Sequence, residues 1–348
     1  MSKKVYVGMS GGVDSSVSAA LLKDQGYDVT GVYMKNWSKD LPGHHCTWEE
    51  DYMDAKKVAA QLGIKFKLYD FEKQYRSQVV DYMVGEYEAG RTPNPDIMCN
   101  QEIKFKLFLS TALKDGADLI ATGHYARVKD GQLLAGLDKN KDQSYFLYRV
   151  TESALEKSLM PVGELEKPEV RKIAKELGLS TADKKDSQGI CFVGQVGIKE
   201  FLESELGISK PGRIINQKGE DIGEHEGALY YTIGQRHGLN VGGGLPYYVT
   251  GKNTMKNEVY VTTDIADKNL WRKSLKLSDI HWINNEPNEK SKYMIRTRYR
   301  ADLVNISKII KEDSNYKIDL EDEVRALTPG QSAVIYEEDR VVGGGIVI

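Results

Sequence analysis

The chain has 348 residues, of which 40% are hydrophobic and 28% are charged, and its formal net charge is −3. This composition is typical of a globular protein of two or three domains, and it excludes a globally basic nucleic-acid-binding protein. The sequence contains no apolar stretch of about 20 residues and no secretory signal, so we expect no membrane partner and a cytoplasmic location. Three cysteines are too few for a disulfide scaffold and predict a reducing compartment.

The first two hundred residues alternate between strand and helix patterns. Apolar runs predict strands at 5–9, 28–35, 64–69 and 118–122. Amphipathic segments predict helices at 15–25, 49–62, 72–89 and 102–114. This order predicts an α/β domain with a doubly wound parallel sheet, which binds its ligands at the carboxyl ends of the strands.

The pattern changes after about Gly207, where glycine, tyrosine and β-branched residues become dense. Alternating segments at 293–299, 316–320 and 332–336 predict strands. We therefore divide the chain into a catalytic domain at 1–207, a small, mainly β linker domain at 208–272 and a β-barrel at 273–348.

A glycine-rich loop lies between the first strand and the first helix. Its residues are Gly8, Met9, Ser10, Gly11, Gly12, Val13, Asp14 and Ser15. Adjacent glycines allow backbone N–H groups to face an anion, and the following helix N-terminus favours negative charge. The loop lacks the lysine of a Walker sequence and the spacing of a dinucleotide fingerprint. A Ser-Gly-Gly turn alone could simply cap a helix, but the whole string in this context indicates a phosphate site.

The string resembles the pyrophosphate loop of the ATP pyrophosphatase superfamily. The resemblance implies that ATP is cleaved between its α- and β-phosphates and that a substrate is adenylated, with Mg²⁺ compensating the phosphate charge. It also implies that Met34 and Gly123, at two strand ends, border the adenosine. Met34 alone would equally fit core packing.

Two cysteines lie in segments rich in turn residues. Cys99 follows a Pro- and Asn-rich loop and precedes the predicted helix, whose positive end would favour the thiolate; Asp96 lies close enough to transfer a proton. Cys191 follows Lys184 and Lys185, which would also favour a thiolate. The alternatives are unrelated structural cysteines or an iron–sulfur cluster on the three thiols, whereas the spacings match no zinc pattern.

Six motifs occur in order along the chain: GMSGGVDSS at 8–16, TPNPDIMCN at 92–100, TGHYAR at 122–127, DSQGICFVG at 186–194, YTIGQRHGL at 231–239 and RTRYR at 296–300. Together they are similar to those of the bacterial tRNA-specific 2-thiouridylase family. The resemblance implies that Cys99 is the nucleophile, that Cys191 carries a persulfide and that Asn94, Pro95 and Asp96 meet the target base. It implies no catalytic role for Cys46.

The resemblance implies ATP-dependent replacement of the C2 oxygen of the wobble uridine, position 34, by sulfur. Adenylation makes that oxygen a leaving group, and the persulfide either attacks C2 directly or is cleaved by Cys99 to hydrosulfide. The implied partners are tRNA, with those for Lys, Glu and Gln as substrates, and a sulfur donor such as a cysteine desulfurase or a sulfur-carrier protein.

A local patch is expected to hold the tRNA. Arg296, Arg298 and Arg300 recur at period two, so a strand would place them on one face, although such a face can also be merely solvated. The resemblance implies tRNA contacts at His124, Lys141, Asp142, Gln143, Tyr299, Arg300 and Gln331.

Two competing functions remain open from the residues alone. One is another adenylating enzyme with this loop, such as an amidating or argininosuccinate-forming ligase, which would not need two loop cysteines. The other is a non-catalytic tRNA-binding or sulfur-carrier protein, which would not need the intact loop and Asp96.

Overall fold

The computed structural model describes residues 2–41, 45–185, 197–207, 209–239, 241–242, 244, 246–288 and 290–348. The strands are β1 (Lys4–Gly8), β2 (Asp28–Lys35), β3 (Lys65–Asp70), β4 (Leu119–Ala121), β5 (Ala126–Lys129), β6 (Gln132–Ala135), β7 (Ser158–Leu159), β8 (Gly212–Ile215), β9 (Asp221–His225), β10 (Tyr248–Asn253), β11 (Glu258–Thr262), β12 (Trp271–Trp282), β13 (Met294–Arg296), β14 (Val304–Glu312), β15 (Asn315–Arg325), β16 (Ser332–Glu337) and β17 (Arg340–Val347). The α-helices are α1 (Val13–Asp24), α2 (Trp48–Leu62), α3 (Glu72–Tyr75), α4 (Asp81–Glu88), α5 (Pro95–Met98), α6 (Leu109–Lys114), α7 (Glu152–Leu155), α8 (Lys167–Glu176) and α9 (Ile198–Leu206).

The amino-terminal half is built on a five-stranded parallel sheet in the order β3-β2-β1-β4-β7. Successive residues of β1 face opposite layers: Val5 and Val7 pack in one buried cluster with Val17 of α1, and Tyr6 packs in the other with Phe108. Both faces of the sheet are therefore covered, which confirms the predicted doubly wound α/β fold.

The helical segment that carries Cys99 begins earlier than the sequence suggested. It starts with α5 at Pro95, continues as a π-helix over Cys99–Phe108 and ends with α6, whereas we predicted a helix only over 102–114. Proline is well suited to the first helical position because its fixed φ matches the helix and its missing N–H is not needed there. Cys99 thus lies inside a helix and not in a loop ahead of one.

Two β units follow. A four-stranded sheet in the order β10-β11-β8-β9 surrounds a small core of Ile214, Val249 and Val259. Strands β12, β15, β14, β13, β16 and β17 then form an antiparallel sheet that β12 and β17 close into a barrel. The mainly β second half and the carboxyl-terminal barrel are therefore confirmed.

The amino-terminal half and the barrel share a sheet. The hairpin β5–β6 of the first half pairs with β17 through Leu133 with Val341 and Leu134 with Arg340. Arg127 of β5 also forms an ion pair with Asp339, at 2.5 Å. This connection, which we did not predict, fixes the barrel against the parallel-sheet domain. In the part of the chain that the structure describes, no helix is long and apolar enough to cross a membrane.

Candidate nucleotide and thiol site

The glycine-rich loop is folded back on the first turn of α1 by hydrogen bonds of its own residues. The Ser10 amide donates to Ser15 Oγ at 3.2 Å, and the hydroxyls of Ser15 and Ser16 donate to the Gly12 carbonyl at 3.1 and 2.8 Å. The Met9 amide donates to the Val32 carbonyl at 2.8 Å, which aligns the loop with β2. The side chains of Met9 and Val13 are buried in the core.

Close contacts with neighbouring backbone leave no room for a side chain at Gly11 in this loop or at Gly123, which packs against it. Gly11 has φ +75°, and a Cβ atom there would lie 2.4 Å from the Asp51 carbonyl oxygen. A Cβ atom on Gly123 would lie 2.7 Å from the Ser15 amide nitrogen, and one on Gly8 would lie 3.0 Å from Met34 Cε. The structure thus brings the loop, Met34 and Gly123 together at the carboxyl edge of the sheet, where we expected the nucleotide.

The carboxylate of Asp14 is held by two residues that the sequence analysis did not single out. Lys167 Nζ lies 2.7 Å from Asp14 Oδ1 and 2.9 Å from Oδ2, and the Tyr125 hydroxyl donates to Oδ1 at 2.9 Å. Lys167 is the first residue of α8 and is buried. Tyr125 follows His124 in a recognised motif, but Lys167 is 153 residues from Asp14 and carries no motif signal.

Cys99 is 3% exposed and belongs to the large cluster of buried side chains on one face of the sheet. It is the fifth residue of the helical segment that begins at Pro95. The electrostatic effect of a helix end fades within the first turn, so the expected stabilisation of a Cys99 thiolate by the helix N-terminus is not supported by this position.

Asp96 and His124 have pKa values shifted in opposite directions. Asp96 lies in the first helical turn, and desolvation by the surrounding protein raises the pKa of its carboxyl group although part of the side chain stays exposed. Burial lowers the pKa of His124 well below its usual range, and its Nδ1 lies 2.8 Å from Thr122 Oγ1. The charge of Lys104 acts on both groups, lowering each pKa, and sequence analysis missed this lysine.

The helical segment that carries Cys99 packs on the nucleotide edge of the sheet. The Phe105 ring lies 5.7 Å from the His124 ring, and Phe108 lies 3.5 Å from where a Cβ atom of Gly8 would be. Cys99 precedes Phe108 by nine residues, which corresponds to at most about 13 Å along a helix.

Of the two other cysteines, the structure describes only Cys46. Cys191 lies outside the described residues. Lys184, expected to favour its thiolate, has its ammonium 2.7 Å from Asp51 and 2.5 Å from Asp54, so its charge is already compensated. Cys46 is half-buried, and desolvation raises the pKa of its thiol.

The segment that was expected to meet the target base is attached to the barrel. Gln331 Nε2 donates to the carbonyls of Thr92 and Pro93 at 2.7 and 3.2 Å, and the Thr92 amide donates to the Pro329 carbonyl at 2.9 Å. Asn94 follows in an extended conformation, and Pro95 opens α5. The structure therefore places Gln331 beside residues 92–93, which lead along the chain to Asp96.

Of the predicted tRNA residues at 141–143, Asp142 contacts the barrel. Asp142 is buried; its Oδ1 accepts from the amides of Gly136 and Ser144 at 3.0 Å, and its Oδ2 lies 3.1 Å from Arg296. Gln143 Oε1 accepts from the Tyr125 amide at 3.0 Å, and Lys141 is half-buried. Asp142 is thus engaged inside the protein, whereas Lys141 keeps part of its exposure.

The three arginines do not share one strand face, so that prediction was wrong. Strand β13 ends at Arg296, and Arg300 has φ +61°, which ends the extended conformation. Arg296 pairs with Asp142, Arg298 donates to Thr328 Oγ1 at 3.3 Å, and only Arg300 combines exposure with a stacked position, 5.2 Å over the Tyr299 ring. The Tyr299 ring packs 4.4 Å from Phe146.

Full-length relatives support the same function as the motifs. The tRNA-specific 2-thiouridylase MnmA of Bacillus thuringiensis is 47% identical over 350 residues, covering 99% of this chain and 94% of the relative. That of Idiomarina loihiensis is 49% identical over 357 residues, covering 99% and 96%. The chain belongs to the tRNA-specific 2-thiouridylase family.

Three domain families cover this thiouridylase-family chain in sequence. Residues 3–195 match the tRNA methyl transferase HUP domain, 199–263 the tRNA methyl transferase PRC-barrel domain and 272–347 the aminomethyltransferase beta-barrel domain. Among solved structures, a 4-thiouridine synthetase–RNA complex with bound ATP shares 18% identity at a TM-score of 0.38, over 58% of this chain and 50% of that one. The order of the three matches agrees with the parallel-sheet domain, the small central sheet and the closed barrel.

An Arg300→Ala variant of this family member is expected to bind tRNA more weakly, with a salt slope reduced by about one, because an exposed guanidinium contacts phosphate or an unpaired base. Its melting temperature should stay unchanged. Filter binding across salt concentrations measures both affinity and slope. Arg296→Ala is the contrasting variant: it should lower the melting temperature, because it leaves the buried Asp142 carboxylate without its cation. Unchanged tRNA affinity in Arg300→Ala would remove this residue from the tRNA surface.

Proposed function

We propose that the protein catalyses ATP-dependent 2-thiolation of uridine 34 in tRNA, forming 2-thiouridine, AMP and pyrophosphate. The observation that carries the proposal is the packing of the Cys99 helix on the sheet edge that holds the glycine-rich loop, through Phe108 against Gly8. This packing supports a common site for the proposed nucleotide loop and Cys99. The names of the full-length relatives support the same reaction.

Adenylation is the step that the glycine-rich loop serves. The oxygen at C2 of uracil is a poor leaving group, so attack by sulfur at C2 needs prior activation. When the C2 oxygen attacks the α-phosphorus of ATP, pyrophosphate leaves and the oxygen becomes part of AMP. Backbone N–H groups of the loop and the hydroxyl of the exposed Ser10 are suited to bind the departing pyrophosphate, while Ser15 fixes the loop through its hydrogen bonds to Ser10 and Gly12.

Sulfur transfer then uses two thiols. A persulfide on Cys191 attacks C2 through its terminal sulfur, the C2–O bond breaks and AMP leaves. Cys99 next attacks the Cys191 sulfur, which releases the thiolated base and leaves a Cys99–Cys191 disulfide for a dithiol reductant to open. In the alternative order, Cys99 first releases hydrosulfide, which attacks C2; the two routes end with the same disulfide.

The described residues on both sides of Cys191 support its participation. On one side, Lys184 is bound to Asp51, whose backbone lies against Gly11 of the loop. On the other side, α9 packs its Phe201 ring 6.1 Å from Trp37, in the cluster of buried side chains that also contains Cys99. The described residues that flank this interval therefore contact the loop side on one end and the large buried cluster of the same domain on the other.

The reaction needs a cation to compensate the charge of the ATP phosphates and a side chain that accepts a proton. Within the described ranges, no group of three or more His, Cys, Asp and Glu side chains could hold a metal ion. We therefore assign Mg²⁺ to the ATP phosphates, as a companion of the nucleotide. Asp96, on the first turn of the Cys99 segment, is the proposed proton acceptor.

Mass spectrometry of tRNA nucleosides tests the proposal. The protein is incubated with ATP, a cysteine desulfurase, cysteine and tRNAs for Lys, Glu and Gln, which are the proposed substrates. The expected product is 2-thiouridine at position 34, formed only with ATP and accompanied by AMP. ATP consumption that depends on ammonia or an amino acid instead of tRNA would indicate a ligase. Binding of tRNA without any tRNA-stimulated exchange between ATP and pyrophosphate would indicate a non-catalytic protein.

A further inference from the structure

Lys167 brings a buried positive charge to a loop that lacks the lysine of a Walker sequence. Its ammonium group contacts both carboxylate oxygens of Asp14, at 2.7 and 2.9 Å, and lies 5.7 Å from the centre of the Tyr125 ring. Its side chain is 10% exposed, and that of Asp14 is 30% exposed. The pair is therefore screened by water far less than an ordinary surface ion pair.

The same residue also contacts the turn that precedes the expected tRNA residues at 141–143. The Lys167 amide donates to Asp138 Oδ2 at 3.0 Å. The other oxygen of Asp138 accepts from the amides of Asn140 and Lys141, at 2.9 and 3.2 Å. Lys167 thus links the nucleotide loop, through its side chain, to residues 138–141, through its backbone.

Electrostatics gives this arrangement a direct consequence for nucleotide binding. The Asp14 carboxylate stands in the loop where a polyphosphate is expected, and an uncompensated negative charge there would repel it. The Lys167 ammonium cancels that charge and fixes the orientation of the Asp14 side chain at the start of α1. Without Lys167 the loop keeps its backbone donors and the Tyr125 hydroxyl stays on Asp14, but the negative charge of this carboxylate is no longer cancelled.

We propose that Lys167 is a positioning residue for ATP: it neutralises and orients Asp14 in the nucleotide loop, and through Asp138 it ties that loop to the turn at 138–141, which leads into the tRNA residues expected at 141–143. The inference rests on the proposed function, because it assumes that the loop binds ATP. It assigns a role in nucleotide affinity to a residue outside every motif of the sequence.

The test is calorimetric binding of ATP and Mg²⁺ to the full-length protein, a measurement that needs no sulfur transfer. A Lys167→Met variant is expected to bind ATP about tenfold more weakly or worse, the loss typical for one partner of a charge-assisted contact. Lys172→Met is the matched control: Lys172 lies on the same helix, is 74% exposed and only approaches Glu176, at 3.8 Å. It should bind ATP like the unaltered protein.

A double variant separates positioning from a merely structural role. If Lys167 acts through Asp14, Lys167→Met combined with Asp14→Asn binds ATP no more weakly than Lys167→Met alone, because the repelling charge is gone. Multiplied losses in the double variant, or unchanged ATP affinity in Lys167→Met with a lowered melting temperature, would overturn the inference. If the unaltered protein itself binds no ATP, the proposed function fails instead.

Discussion

A Cys99→Ser variant is expected to lose 2-thiolation of tRNA by at least about a thousandfold, as enzymes do when a covalent nucleophile is removed. The hydroxyl of serine cannot cleave a persulfide or form a disulfide with Cys191. Binding of ATP should survive because the substitution leaves unchanged both the glycine-rich loop and Phe108, the residue of this helical segment that packs on Gly8. The variant should therefore still exchange pyrophosphate with ATP in the presence of tRNA while forming no 2-thiouridine.

Nucleoside mass spectrometry measures thiolation in this variant, and radioactive pyrophosphate exchange measures adenylation. Cys99 is buried, so a Cys99→Ala variant serves beside serine, which would place a hydroxyl in an apolar site. Cys46→Ser is the control: its thiol is half-buried and has no assigned role, so this variant should remain active. Thiolation by Cys99→Ala at the unaltered rate would contradict the two-thiol relay.

A second readout concerns the disulfide. After one turnover without reductant, peptide mapping of the unaltered protein should show Cys99 joined to Cys191. Cys191→Ser should show no such bond and no thiolation. A turnover that leaves both thiols reduced would exclude the proposed order of steps, even if both cysteines prove essential.

Local sequence patterns predicted those helices and strands whose ends are set by their own residues. The strand predicted at 28–35 is β2, residue for residue, since its apolar run is bounded by polar residues. The helix predicted at 49–62 lacks only the first residue of α2. Its predicted end is correct because Gly63 adopts the left-handed conformation that ends the helix. The doubly wound sheet and the barrel follow from such segments taken together.

Prolines and alternating charged residues were less informative about where helices and strands begin and end. The Pro- and Asn-rich stretch at 92–98 looked like a loop, yet Pro95 opens a helix, because the same residue type marks both a turn and a first helical position. The alternation at 293–299 predicted one strand, but β13 stops at Arg296. Periodicity shows which residues would share a face and does not show where the strand ends.

Contacts across long sequence separations had no local signal at all. The Asp14–Lys167 pair and the pairing of the hairpin β5–β6 with the barrel depend on the complete fold. The sequence therefore pointed to the glycine-rich loop and Cys99 as candidate site residues, but it could not point to the charged residues that contact them only in the folded chain.

An Asp96→Asn variant is expected to lose about a hundredfold to ten-thousandfold in thiolation rate, the range typical for removal of a general acid or base. In the unaltered protein the rate should fall at acidic pH, because only the ionised carboxylate accepts a proton. Desolvation raises the pKa of Asp96, so this fall should occur at a higher pH than for an ordinary aspartate. The residual rate of Asp96→Asn should lack that acidic fall. Single-turnover thiolation across pH measures both effects.

Thermal stability supplies the control, because ionisation of the carboxyl group is expected to destabilise the fold at Asp96 and to stabilise it at Asp115. Because the folded-state pKa of Asp96 is raised, its ionisation destabilises the fold as pH rises from the ordinary aspartate range, so Asp96→Asn should melt no lower than the unaltered protein at neutral pH. Hydrogen bonds from Lys67 and Tyr69 lower the pKa of Asp115, whose stabilising effect is present at neutral pH and lost as pH falls; Asp115→Asn should melt lower yet remain active. If Asp96→Asn loses activity only in proportion to a lowered melting temperature, Asp96 supports the fold and does not transfer the proton.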